Sequence, residues 1–253
     1  MAAPLTLDLS ADRYLAYHRL NAHGDGANLP GVVFLGGFRS DMTGVKAQFL
    51  ESWARERGRA FLRFDYTGHG ASSGRFEDGC IGDWTDDAAE AVSRLTEAPQ
   101  ILVGSSMGGW IALSLAKRMQ ERIAGLVGIA AAPDFTEDGL WARLSDAQRL
   151  EMTANGQIAL PSEYSDEPYI YTRKLVEDGR QNLLLRAPLK VPFPVRLLHG
   201  TADADVPMSV ALRLVEQLDG PDTRLVLVKD ADHRFSGERE LALIARSIDE
   251  LEI

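Results

Sequence analysis

Six short apolar runs separated by stretches of helical spacing constrain this chain more than any other feature. They read GVVFLGG, RAFLRFDY, PQILVG, IAGLVGIAA, FPVRLLHG and TRLVLVKD, from Gly31, Arg59, Pro99, Ile123, Phe193 and Thr223 onward. Each is short, rich in Val, Leu, Ile or Phe, and has Gly or Asp near its end, as strands buried on both faces do. Between them, Val45 to Arg57, Asp83 to Leu95, Gly109 to Met119 and Ser209 to Leu218 carry apolar residues at helical spacing. A strand with two apolar faces must be covered twice. The pattern therefore predicts an α/β fold, a mostly parallel twisted sheet with helices on both faces. Leu5 to Leu20 alternates polar and apolar residues instead, which predicts an antiparallel hairpin on the sheet edge.

The rhythm fails once. From about Pro133 to Pro192 no clear strand is visible, only amphipathic pieces (LWARLSDAQRLEMTA, YIYTRKLVEDG, RQNLLLRA) around the interruption LPSEYSDEP. That is too long for an ordinary connection. It predicts a small helical lid insertion, residues 133–192, over the carboxyl edge of the sheet, where open α/β sheets bind ligands. Residues 1–253 are otherwise expected to form a single domain, long enough to bury most of its apolar surface.

Within LVGSSMGGW, Gly104-Ser105-Ser106-Met107-Gly108 fits G-x-S-x-G, with strand PQILV before it and the helical run GWIALSLAKRM after it. A strand that turns sharply into a helix strains its central residue, and side chains on the flanking glycines would collide there. Register makes Ser106 the candidate nucleophile and Ser105 its neighbour. A serine hydroxyl needs a base. In sheets with such an elbow the partners follow in the order Ser, acid, His. That order leaves His199 and His233. His199 precedes any intervening acid and is expected to be structural, whereas His233 follows the last strand and is the candidate base. In HGTADADVP, Asp203 lies at the strand-end loop and is the candidate acid; Asp205 is expected as an N-cap or a solvated residue. Asp230 and Asp232 are expected to face away from the imidazole.

Acyl transfer also needs two donors for the developing oxyanion. The Met107 N–H opens the helix after the elbow, where backbone donors are unpaired. The Phe38 N–H follows Gly36-Gly37, which lets the backbone approach closely. Arg39 beside that loop, with Trp141 and Ile158 in the lid, are the substrate-contact candidates. The loop DYTGHGASSG lacks the GK[ST] ending and G-x-G-x-x-G spacing of phosphate cradles and is expected as a tight loop with an unreactive His69. Cys80 is the single cysteine, so no internal disulfide can form. It has no basic neighbour and is expected as a buried spacer. The count fits a reducing compartment.

A net charge of −10 argues against nucleic acid or an anionic membrane as partner. No segment approaches the ~18 consecutive apolar residues of a membrane span. The start MAAPLTLDLSADRY lacks both a basic-then-apolar leader and an Arg-rich bias, so the cytoplasm is the expected compartment. A small-molecule or acylated substrate is the expected partner; the chemistry calls for no cofactor and no metal.

RFDYTGHGASSG, PQILVGSSMGGW, RLLHGTADADVP and DADHR, with ALPSEYSDE in the insertion, together resemble the α/β-hydrolase superfamily. Within it the strings are similar to the mitochondrial abhydrolase-domain group described as palmitoyl-protein thioesterases and acyl-glucuronide esterases. The resemblance runs from about Gly31 to Leu251. It implies Ser106 as nucleophile, Asp203 as acid and His233 as base, in a serine hydrolase of esters or thioesters. Arg39 and the lid residues around Gln157 and Ile158 depart from that group, and a mitochondrial extension is absent, which implies a bacterial-type relative. A small-ester carboxylesterase or C–C bond hydrolase is the alternative activity, and a non-catalytic hydrolase-fold ligand-binding protein is the alternative class.

Overall fold

A computed structural model describes residues 3–162 and 165–251; Glu163 and Tyr164 of the LPSEYSDEP interruption lie outside the described residues. Strands β1 (Leu5–Ser10) and β2 (Arg13–Leu20) pair antiparallel, as the alternation requires. They are followed by β3 (Gly31–Leu35), α1 (Val45–Glu56), β4 (Phe61–Phe64), α2 (Ile81–Leu95), β5 (Gln100–Ser105), α3 (Met107–Arg118) and β6 (Ile123–Ile129). After the insertion come β10 (Val195–Gly200), α6 (Met208–Gln217), β12 (Thr223–Val228) and α7 (Glu238–Asp249). The intervening labels go to the insertion strands β7 (Gln157–Ser162) and β8 (Ser165–Thr172), and to the two-residue pair β9 (Leu189–Lys190) and β11 (Leu218–Asp219).

The sheet order is β1-β2-β4-β3-β5-β6-β10-β12. Every pair from β4 to β12 is parallel; β1 and β2 are the antiparallel edge. Strand β3 shows why such strands read as unbroken apolar runs. Val33 and Leu35 join the core under α2 and α3, while Val32 and Phe34 join the core with Leu50, Trp53, Ile244 and Ile248 of α1 and α7. Strand β12 departs from expectation. As the outer edge it is only half covered, with Val226 37% and Leu227 42% exposed.

The chain runs from β3 outward to β4 and then back to β5 on the other side, so the sheet reverses beside β3. The crevice outside the carboxyl ends of strands at such a reversal is where ligands bind in open α/β sheets. The loops after β3, β5, β10 and β12 all open there.

The insertion lies between β6 and β10 and is mixed rather than wholly helical. A π-helical turn (Phe135–Trp141) leads to α4 (Asp146–Asn155), started by a capping box in which the Gln148 N–H donates to Ser145 Oγ and the Ser145 N–H to Gln148 Oε1. Then β7 and β8 pair antiparallel, and α5 (Arg173–Gln181) closes the unit. Leu144, Met152, Ile158 and Val176 form its own small core. The hairpin is hard to see in sequence because Pro161 and the polar SEYSDEP stretch interrupt the alternation of Ile158 and Leu160 with exposed neighbours.

Candidate active site

Ser106 sits between β5 and α3 with φ 55° and ψ −118°, a conformation that side chains avoid. The glycines around it are fixed by space. A Cβ on Gly104 would lie 2.4 Å from the Gly108 carbonyl oxygen, and one on Gly108 would lie 2.1 Å from that of Leu35. The strained peptide is held by backbone bonds: Ser106 N–H to Ile129 O at 2.9 Å, and Gly109 and Ala132 N–H to Ser106 O at 2.9 and 3.0 Å.

Three side chains from three carboxyl-edge loops meet here. His233 Nε2 is 3.0 Å from Ser106 Oγ, and its Nδ1 is 2.8 Å from Asp203 Oδ2. The other Asp203 oxygen accepts from the N–H groups of Val206 at 2.8 Å and Asp205 at 3.0 Å. Burial alone would raise the Asp203 pKa, but the hydrogen bonds from His233 and Val206 outweigh it and hold the carboxyl below its ordinary value. An ionised carboxylate only accepts, so Nδ1 carries the ring proton and Nε2 offers its lone pair to the Ser106 hydroxyl. The Asp203 side chain is 0% exposed and that of His233 16%, so the acid is sealed in while the imidazole meets the cavity.

His199 lies behind this row, 3.8 Å from Asp203 Oδ2, and its Nε2–H donates to Val206 O at 3.0 Å. Burial lowers its pKa, which favours the neutral ring. It braces the loop that carries Asp203. Asp205 is exposed and lines the cavity, the solvated one of its two expected places; the N-cap of α6 is Pro207. Asp203, Asp205 and His233 place ligand atoms within 4.8 Å of one another. Both Asp203 oxygens and His233 Nδ1 are already engaged in hydrogen bonds. Asp232 Oδ1 accepts from the Phe235 N–H at 3.1 Å, and the Asp230 N–H donates to Thr201 Oγ1 at 2.9 Å.

The loop after β3 packs onto the elbow. A Cβ on Gly37 would lie 3.4 Å from Ser105 O and 3.5 Å from Ser106 Cβ, ordinary van der Waals distances that put this turn directly against the elbow. Phe38 follows, and its ring is parallel to that of Tyr171 at 5.4 Å and edge-on to Phe135 at 5.6 Å. Met107 begins α3.

Ser106, His233, Phe38 and Arg39 line a cavity of about 720 Å³. Its lid wall presents Leu140, Leu144, Leu160, Tyr169 and Tyr171 together with the polar Arg143, Gln148 and Ser162; Asp41, Lys46 and Arg234 lie on the opposite side. Trp141 and Ile158 are not in this lining, which corrects both as substrate contacts. Ile158 faces the lid's own core, and Trp141 is covered by the guanidinium groups of Arg180 at 4.7 Å and Arg149 at 5.5 Å. Leu140, in the π-helical turn beside Trp141, lines the cavity instead. The Tyr-x-Tyr alternation in YIYT was the available signal for Tyr169 and Tyr171; Lys46 had none.

The remaining expectations concern residues away from the chemistry. Asp65 accepts from the Met42 and Ala71 N–H groups at 2.6 and 2.9 Å, and DYTGHGASSG wraps around its carboxylate. His69 is buried among Tyr66, Phe76 and Trp84, and burial pushes its pKa down to about 4. Burial pushes the Cys80 thiol up to about 12, where it is inert. Among the described residues no helix is long and apolar enough to cross a membrane.

Comparison with known proteins places this geometry in context. Residues 29–246 match the model of the alpha/beta hydrolase family. The mouse mitochondrial palmitoyl-protein thioesterase ABHD10 is 36% identical over 238 residues, 94% of this chain and 78% of that protein. Its human counterpart is 34% identical over the same length, 76% of that protein. A solved structure of mouse alpha/beta hydrolase domain-containing protein 10 superposes with a TM-score of 0.89 at 34% identity, covering 99% of this chain and 98% of that one. A crystal structure from Agrobacterium vitis S4 gives 0.93 at 41% identity, again over 99% and 98%.

Proposed function

The chain belongs to the alpha/beta hydrolase family, and from that premise we propose that it hydrolyses esters and thioesters through an acyl-enzyme on Ser106. The observation that carries the reading is the continuous row from Asp203 to His233 to Ser106, at 2.8 and 3.0 Å, ending on a serine held at φ 55°. His233 Nε2 takes the hydroxyl proton as Ser106 Oγ attacks the acyl carbon. Asp203 keeps the proton on Nδ1 and stabilises the imidazolium that forms. The N–H groups of Phe38 and Met107 receive the oxyanion. His233 then protonates the departing alcohol or thiol, and water repeats the sequence on the acyl-enzyme, returning the free acid.

The acyl chain is assigned to the lid wall, because Leu140, Leu144, Leu160 and the two tyrosines offer it an apolar surface. The relatives named palmitoyl-protein thioesterase support a long chain. We assign the enzyme to the cytoplasm, where a lone thiol stays reduced, although those relatives are named as mitochondrial. Fluorophosphonate labelling followed by peptide mapping tests the chemistry. Wild type is expected to label on Ser106 and Ser106→Ala to remain unlabelled; a wild-type protein that does not label sinks the proposal. Paired O-acyl and S-acyl substrates of increasing length then define the preference.

A further inference from the structure

Arg39 occupies a position where its residue type is unexpected. The Ser40 N–H donates to Gly37 O at 3.2 Å, closing a four-residue turn with Arg39 third at φ 56°. A turn with positive φ at that place ordinarily takes Gly or Asn. A long cationic side chain there raises the turn's energy unless something outside the turn holds it.

The side chain is held on several sides. Arg39 Nη2 donates to Glu77 Oε1 at 2.9 Å. Its guanidinium also lies 4.6 Å from the ring centre of Phe76 and 5.0 Å from that of Tyr169 in the lid. The preceding Phe38 ring packs on Phe76 at 4.8 Å and on Tyr171 at 5.4 Å. The two residues that follow the diglycine are thus gripped by the same two neighbours, the Phe76–Glu77 segment and β8. A group whose charge was meant for substrate would not be expected to spend it on Glu77.

We propose that Arg39 is a positioning residue: clamped by Glu77, Phe76 and Tyr169, it fixes the turn that presents the Phe38 N–H to the oxyanion. The clamp also makes β8 part of the donor's support, so the lid contributes to turnover as well as to binding. This rests on the assignment of Phe38 as an oxyanion donor in a serine hydrolase.

Two substitutions probe the clamp without touching the row of Asp203, His233 and Ser106. Arg39→Ala keeps a strained residue in the turn and deletes the clamp; Glu77→Gln keeps the arginine and deletes its charged partner. Loss of a whole oxyanion donor lowers kcat by roughly 10²–10³-fold, and a loosened donor should lower it about tenfold. Both variants are expected to show that loss on a neutral short-chain ester, with KM and melting temperature unchanged. Retention of kcat in both overturns the proposal, as does a loss confined to KM for acidic esters, which would make Arg39 a substrate contact. Fluorophosphonate labelling of wild type in parallel separates the cases. Labelled wild type with fully active variants defeats only the clamp, whereas unlabelled wild type defeats the hydrolase reading beneath it.

Discussion

The cavity has two walls built on different terms. On the sheet side, Ser106, Asp203 and His233 sit on short loops directly after β5, β10 and β12, and hydrogen bonds fix each one. On the lid side, Leu140, Leu160, Tyr169 and Tyr171 come from an insertion held by the β7–β8 ladder, a small apolar cluster and ring contacts, with no side-chain hydrogen bond among these four. Directional bonds on rigid strand ends hold atoms to the tolerance that proton transfer needs. Apolar packing fixes a surface and allows it to vary. We therefore assign the reacting side chains to the first wall, and substrate choice together with support of the Phe38 turn to the second.

The largest expected effect lies on the sheet side. Asp203→Asn retains a hydrogen-bonding partner for His233 but presents an amide that favours the wrong tautomer. In a comparable triad that exchange lowers kcat by about 10⁴-fold. Steady-state kinetics should show a loss of that order with KM little changed, and the folded state should survive because the Val206 and Asp205 N–H groups still find an acceptor. A loss below about tenfold would mean that Asp203 does not fix the imidazole, and the division between the walls would lose its footing.

The lid side should respond in two separable ways. Ile158 and Leu160 are two residues apart on β7, yet Ile158 is 3% exposed in the lid core and Leu160 lines the cavity. Truncating a buried Ile to Ala costs about 2–5 kcal/mol. Ile158→Ala should therefore lower the lid's stability, read by hydrogen exchange of α4 and β7. Leu160→Ala, at a residue only partly buried against that core, should lower stability less than Ile158→Ala does and raise KM for long acyl chains by several-fold, since a few buried methylenes contribute about 0.8 kcal/mol each. Interchanged outcomes would refute the assignment of which residue faces substrate.

This contrast also explains what the sequence made readable. The parallel strands, the helices between them and the convergence of Ser106, Asp203 and His233 follow from local patterns: apolar runs, one glycine-flanked serine, and loops in a fixed chain order. Each run and each loop is readable within a dozen residues, and the chain order links the loops. Which way Trp141 and Ile158 face is not legible in the sequence, because one sits in a π-helical turn and the other in a hairpin interrupted by Pro161, neither of which leaves a period to count. The exposed face of β12 was hidden for a related reason, since a strand sequence does not say which strand ends the sheet.

The smallest expected effect lies on the sheet side at Lys46. Its ammonium donates to Arg234 O and, at 3.3 Å, to Ser236 Oγ, so α1 is tied to the loop that carries His233. Burial lowers its pKa to about 8, against a partial rise from Asp232 and a further lowering from Arg234. An unfolded lysine titrates near 10.4. Between about pH 8 and the unfolded value the unfolded chain holds more protons, so this residue's contribution to stability rises with pH across that window. Below about pH 8 both states are protonated and the contribution is flat at its least favourable level. Denaturant melts of wild type and Lys46→Met from pH 7 to 10.5 should diverge with that sign, the variant lacking the upward component. The charged form makes the bonds to Arg234 and Ser236, so raising the pH should also loosen the His233 loop while the fold gains stability. A stability component that falls with pH in wild type relative to Lys46→Met would show that the loop bonds, rather than desolvation, dominate this lysine.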